Sequence, residues 1–428
     1  MRVATALACA LLLAAPARAE EYHLRVVAKV GEPSPAGGSF DRFSVESLPI
    51  VAPVNGRGEV AFFAKLARAA AGEGLFLASR ARIVKIAAEG DRVVRAGTIT
   101  GFGRHPVPTL NEAGSVAFHA TLTGGGGLEG IFIGAARRAT RAIAVSGQVA
   151  AGLPSGMIAA LEAPALNDRD EVAFLATVQR GRETIDAVYV ASRGRLRKAV
   201  AQGDPTPVGG SFGGFGPPSL NNRGVVAFAA IVEGGRSLGG LFSLAPGGGT
   251  RKLVGTGDDS PVGGYFAKFS DRVSLNDANQ VAFHALVNNG ASPGGIFAAA
   301  DGGTTLIAAI GADAPGGGRF ATFGLWPALA GEGRVAFVAA VNEGSAPVGV
   351  FLSRPAGVER VVSTGQPSPA GLIASFGLYP SVSISRTHAI AFPVAPTAGT
   401  SGADAILVGE SLMRSGDITG KLRELIGR

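Results

Sequence analysis

The sequence predicts an all-β fold, a seven-bladed β-propeller of four-stranded repeats with a period of about 55 residues, and three observations predict it. One octet recurs seven times at nearly constant spacing. Each period holds four strand-like runs separated by turn residues. Helical periodicity is almost absent from a chain whose 428 residues include 65 glycines and 25 prolines.

The clearest octet is Asn221-Asn222-Arg223-Gly224-Val225-Val226-Ala227-Phe228. Asn55 to Phe62, Asn111 to Phe118, Asn167 to Phe174 and Asn276 to Phe283 repeat it, and two worn copies end at Phe337 and Phe392. The closing phenylalanines, at positions 62, 118, 174, 228, 283, 337 and 392, lie 56, 56, 54, 55, 54 and 55 residues apart. Each residue type has a physical task. The Asn side chain bonds the backbone ahead of it, and Gly58, Gly114 and Gly224 supply the positive φ that completes a tight turn. Val-Ala-Phe then opens a strand, with alternate side chains on opposite faces. Asp170 and Asn279 replace the glycine in two copies and tolerate the left-handed region. His388 replaces it in the seventh copy, where a distorted turn is expected.

The other elements recur around the octet. A short run ending in Leu-Asn precedes it, with proline at Pro108, Pro164, Pro218 and Pro327. A Gly-rich hairpin follows, then a small-aliphatic-aromatic triplet such as Gly240-Leu241-Phe242, then a basic strand such as Arg195 to Ala201. A Gly/Pro-rich loop, clearest from Gly203 to Phe212, leads to the next unit. A solenoid would need shorter, more uniform coils, and two sandwiches would not give one unbroken period. The chain is also circularly offset. Leu24 to Val30 reads as a fourth strand placed before the first complete unit, so it is expected to complete the seventh unit and close the ring. A tail strand from Ser411 to Gly416 competes for that place.

Residues 1–19 read as a signal peptide, with a basic start, an apolar run from Val3 to Ala15 and Ala17-Arg18-Ala19. The ring is then expected over residues 20–408, with a C-terminal tail at 409–428 in which only Gly420 to Arg428 could be a short helix. The apolar run is too short to span a bilayer. The only cysteine, Cys9, lies inside it, so the processed chain has no thiol chemistry. Removing Arg2 and Arg18 leaves 39 − 2 = 37 basic side chains against 32 acidic ones, or +5. That balance does not call for nucleic acid. An exported, periplasmic or secreted, monomeric protein without a membrane span is expected.

The octet resembles the signature of secreted bacterial NxxGxxAF tandem-repeat proteins of the choice-of-anchor type, over nearly the whole chain after residue 19. That resemblance implies an exported repeat protein and carries no activity to transfer. Positions 409–428 lack the apolar span and basic stop of anchored members. More loosely, the Asn-turn-Val-Ala-Phe phrase is similar to those of WD-type and periplasmic translocation propellers. That analogy implies that the strand ending in Leu-Asn is innermost and the basic strand outermost.

No nucleophile elbow, H-E-x-x-H, phosphate-binding loop or Cys–His arrangement is present. His119 and His284 follow the octet Phe in units two and five, where a structural role is weighed against a metal pair. Asn167-Asp168-Arg169-Asp170-Glu171 offers oxygens to calcium but lacks a calcium loop's spacing. No cofactor is expected, and calcium is the one ion considered. The function expected is non-catalytic binding or scaffolding of a glycan, an envelope polymer or a protein partner; the alternative is a propeller hydrolase or lyase acting on polysaccharide. Two patches stand out. Arg193, Arg195 and Arg197 alternate, so they are expected on one face of an outermost strand, as solubilising charges or as contacts to an anionic surface. The inner-strand position before the proline changes from Val107, Ala163 and Pro217 to Arg272, Trp326 and Tyr379. These three would bring a guanidinium, the sole indole and a phenol to matching heights beside the channel, for a polar ligand or as packing.

Overall fold

The computed structural model describes residues 22–43, 51–102, 107–301, 303–377, 381–395 and 405–411. The expected leader at 1–19, the tail beyond 411, His105 and Tyr379 lie outside the described residues. Seven antiparallel sheets form a seven-bladed propeller, with no helix among the described residues. In blade three the four strands run inside to outside as Met157–Leu166, Val172–Arg180, Glu183–Ser192 and Arg195–Ala201.

In blades four to six the inner strand is split. Ser211–Phe215 and Ser219–Leu220 both pair with Val226–Glu233, and Gly216-Pro217-Pro218 interrupts them. In blades four and six the break holds a proline, Pro218 or Pro327, which cannot donate to the ladder, whereas blade five breaks over residues 270–273 without one and Pro164 lies within the unbroken inner strand of blade three. Phe212 therefore belongs to the inner strand and the core, with no exposure, although sequence placed it in a connecting loop. The loop before it is itself tight. It is pinned by the Pro205–Ser211 bridge, and the equivalent bridges Pro33–Ser39, Asp259–Tyr265 and Asp313–Arg319 recur in other blades.

Each octet folds as read. Asn221 Oδ1 accepts from the backbone N–H groups of Arg223 and Val225, both at 3.0 Å, and Gly224 takes φ +78°. The substitutes Asp170 and Asn279 adopt φ +57° and +62°. The seventh turn corrects the expectation. His388 takes φ +63° and the turn keeps the bonds of the others, His388 N–H to Ser385 O and Ser385 N–H to Ala389 O. Ser385 Oγ supplies the missing acceptor to Ala389 N–H at 3.0 Å, so the geometry survives without Asn or Gly.

The octet phenylalanines pair across strands with the triplet aromatics. Phe62 faces Phe76, Phe118 faces Phe132, Phe174 faces Tyr189, Phe228 faces Phe242, Phe283 faces Phe297, Phe337 faces Phe351 and Phe392 faces Leu407. All seven octet rings are at most 3% exposed, which places the core between blades. In one such seam Phe228 and Phe242 of blade four pack with Leu175, Val188 and Val200 of blade three. Burying a Phe contributes roughly 2–3 kcal/mol, so this repeated layer dominates the stability of the ring.

Blade seven takes its outer strand from the start of the chain. Tyr22–Lys29 pairs antiparallel with Ala405–Ser411, Leu24 opposite Gly409 and Arg25 opposite Val408. Residues 409–411 thus belong to a blade rather than to the tail. The Tyr22 hydroxyl donates to Glu359 at 2.7 Å in blade six, and Arg25 donates to Gly58 O at 3.3 Å in blade one. This one strand therefore ties both neighbouring blades.

Candidate functional site

The Asn turns close around one mouth of the channel. Each Asn amide reaches the next blade: Asn55 to Asn111 O, Asn111 to Asn167 O, Asn167 to Asn221 O, Asn221 to Asn276 O and Asn276 to Ala330 O, at 2.9–3.2 Å. The residue after each Asn position forms a second ring that the sequence reading missed: Gly56, Glu112, Asp168, Asn222, Asp277, Gly331 and Arg386. Glu112 accepts from Gly56 N–H, Asp168 from Glu112 N–H, and Asp277 from Asn222 N–H at 2.8–3.0 Å. Arg386 reaches Glu112 at 3.0 Å and Asp168 at 3.8 Å. The hydrogen bond to Glu112 leads the causes that raise its pKa, with the charges of Glu112, Asp168 and Asp277 assisting against burial. These side chains line a cavity of ≈ 210 Å³ at the mouth. Constancy of register after the Asn is the signal that could have revealed this ring.

The segment weighed for calcium is dispersed. Asp170 accepts from Asn111 and Arg138, while Glu171 accepts from Asn167, Arg169 and Ser192. Burial would raise the Glu171 pKa, and those hydrogen bonds together hold it below the usual carboxylate range. No group of three or more His, Cys, Asp or Glu among the described residues converges for a metal. His119 and His284 sit in different blades. His119 Nε2 lies 3.5 Å from Glu129, and burial lowers the pKa of His284.

The opposite face is different in character. Between blades four and five a cleft of ≈ 680 Å³ is lined by Phe215, Ile231, Leu238, Phe269, Leu286 and Leu325, with Lys268, Asp271 and His284 among them. Ile231, Leu238, Leu286 and Leu325 are 61%, 77%, 41% and 56% exposed, so four large apolar side chains converge on one concavity without a cover. Sequence missed it because each contributes one residue to an otherwise ordinary hairpin or loop.

At the cleft edge, Asp271 accepts from the indole N–H of Trp326 at 3.1 Å, and the Arg272 guanidinium carbon lies 5.2 Å from the Trp326 ring centroid. Burial pushes the Arg272 pKa down to about 10, against the opposing charge of Asp271. Arg272 and Trp326 thus meet across neighbouring blades as the register predicts. The outer-strand arginines need a correction: Arg193 occupies the hairpin turn with φ +50°, and only Arg195 and Arg197 alternate on the strand, both exposed. The two-residue turn needs a positive φ and takes it at Arg193 and Gly194.

A family model described as a family of unknown function (DUF7453) matches residues 16–248 and again 235–412. No curated protein matches the sequence. Among solved structures, an oligogalacturonate lyase from Vibrio parahaemolyticus superposes with a TM-score of 0.48 at 9% identity, over 91% of this chain and 97% of that one. A puromycin hydrolase gives 0.47 at 13%, over 88% of this chain and 59% of that one. A puromycin-hydrolyzing peptidase from Mycobacterium tuberculosis gives 0.40 at 10%, over 88% and 63%. The chain spans about three-fifths of the length of these two hydrolases.

Proposed function

Since the chain belongs to DUF7453, a family of unknown function, its role has to be argued from its own surface, and we propose that it is an exported, non-catalytic binding propeller that receives an apolar segment of a protein partner in the cleft between blades four and five. One observation carries the reading: Ile231, Leu238, Leu286 and Leu325 are left exposed around a single concavity. Exposing them costs roughly 1 kcal/mol or more each relative to burial, and an apolar partner recovers that energy. Beside it, Trp326 and Arg272 are residue types that dominate protein interfaces, and Asp271 holds the indole in place. A glycan would use the indole face and leave the apolar floor uncovered. In the same proposal residues 1–19 are removed on export, in keeping with the secreted tandem-repeat pattern of the octet.

The test is a selection on the purified full chain from a random peptide library, run beside a glycan array and a polysaccharide turnover screen. Apolar-bearing peptides are expected to enrich, and Ile231→Asp with Leu238→Asp should abolish their retention, because both side chains are exposed and the fold does not need them. Retention of glycans alone, or release of products from a polysaccharide, would overturn the reading.

A further inference from the structure

On the Asn-turn face, away from that cleft, the seam between blades one and two encloses a cavity of ≈ 370 Å³. Four arginines line it, Arg57 and Arg82 from blade one with Arg137 and Arg138 from blade two, against one carboxylate, Glu59. We propose that this seam binds a small organic anion through a phosphate, sulfate or carboxylate group. The charges already present are committed unequally. Glu59 Oε2 accepts from Arg57 at 2.6 Å and from the Asn55 amide at 2.8 Å, so its charge is matched within blade one. Arg138 reaches Asp170 at 3.2 Å and donates to Ser115 at 2.9 Å. Arg82 and Arg137 make no ion pair among the described residues, and both face the same cavity. Two guanidinium groups around one space repel, and an oxyanion between them converts the repulsion into paired, forked hydrogen bonds.

The walls suit an organic body as well as an anion. Leu77, Val84, Ala113 and Ala135 supply apolar surface below the arginines. Gly114 shapes the rim: a Cβ there would stand 2.8 Å from an Arg57 Nη and 3.2 Å from Glu59 Oε2, so glycine leaves room for the pair that forms the wall. The repeat itself provides a comparison. The seam between blades three and four keeps Arg169, Glu171 and Arg195 where the first seam has Arg57, Glu59 and Arg82. Opposite them it has Ala245-Pro246-Gly247-Gly248 in place of Ala135-Ala136-Arg137-Arg138. The doubled, unmatched positive charge of the first seam is therefore absent from the third and does not follow from the repeat pattern.

The experiment is calorimetric titration of the full chain at low salt with inorganic phosphate, inorganic sulfate, glucose 6-phosphate and glucuronate. At least one of the two organic anions should saturate a single site more tightly than the inorganic ions. Losing one charge-assisted contact is worth about a tenfold change in affinity, so Arg82→Gln and Arg137→Gln should each weaken binding by about that factor. Arg195→Gln, at the equivalent place in the third blade, should leave it unchanged. Arg82→Lys and Arg137→Lys keep the charge and lose the fork, and should fall between. Absence of saturable binding by all four probes would overturn the proposal. So would equal loss in Arg195→Gln, which would mark a diffuse charge effect, or an inorganic ion binding as tightly as both glucose 6-phosphate and glucuronate. Binding to the cleft on the other face is independent of each of these results.

Discussion

Replacing Asn221 with alanine separates the two tasks of the octet asparagine. Asn221 is 3% exposed and makes four side-chain hydrogen bonds. Two accept from Arg223 and Val225 N–H at 3.0 Å and hold the turn. Two donate across the seam, to Asn276 O at 2.9 Å and Asn279 Oδ1 at 2.8 Å. At roughly 1 kcal/mol per hydrogen bond, with more for a buried group left unpaired, Asn221→Ala should destabilise the ring by about 4 kcal/mol. Asn221→Ser should cost about half of that, because a hydroxyl can hold the turn, as Ser385 Oγ holds Ala389 N–H, while the seam bonds are lost. Asn221→Asp is the decisive variant. It keeps the turn acceptors but sets a carboxylate against the Asn276 carbonyl and Asn279 Oδ1, so it should be at least as damaging as serine above the carboxylate pKa and should recover as pH falls. Urea unfolding of the full chain, followed by Trp326 emission and far-ultraviolet circular dichroism, reads all three. A loss below about 1 kcal/mol for Asn221→Ala, or an aspartate variant as stable as the parent, would refute the relay between blades.

Three further outcomes follow from the same geometry. Tyr189 is fully buried where five other blades carry Phe, and its hydroxyl has no hydrogen-bond partner among the described residues, so Tyr189→Phe should stabilise by about 1 kcal/mol in chemical denaturation. Burial raises its pKa to about 12 from 10, so the parent should keep full stability below pH 10 and lose it as pH rises towards 12, a loss that Tyr189→Phe should lessen. Arg386→Gln should lower the thermal midpoint at low salt by leaving Glu112 and Asp168 without their counter-ion; the difference from the parent should shrink as added salt screens these partly exposed pairs, and a constant difference would argue against them. Deleting residues 20–40 removes the strand that covers Ala405–Ser411 and should abolish cooperative unfolding, whereas a truncated chain that melts like the parent would refute closure by that strand.

The blade count, the turn geometry and the aromatic layer were legible because each rests on a local rule repeated at a constant interval. Phe62 to Phe392 all enter the seams, and Asp170, Asn279 and His388 take the positive φ that the missing glycine demands. The seventh turn misled because His388 takes the positive φ itself and Ser385 Oγ replaces the acceptor of the missing Asn, a bond that composition does not advertise. That Arg272 and Trp326 stand at one height on neighbouring blades was legible from repeat register, whereas their contact and the Trp326–Asp271 bond were not. The apolar cleft was not, because Leu238, Leu286 and Leu325 occupy different positions in three different repeats and converge only when the blades are placed around the axis. Arg82 and Arg137 were hidden for the same reason: each is an ordinary exposed charge until the seam brings them to one cavity.

The most direct measurement of the binding role is a titration of the full chain with a selected apolar peptide, followed by Trp326 fluorescence. Trp326 is the only indole, and it is tied through Asp271 to the wall of the cleft. Its emission should shift saturably with the parent chain, lose that shift in Leu238→Asp and keep it in Arg82→Gln. A peptide that binds while Trp326 emission stays unchanged, or that binds Leu238→Asp as tightly as the parent, would contradict the binding role.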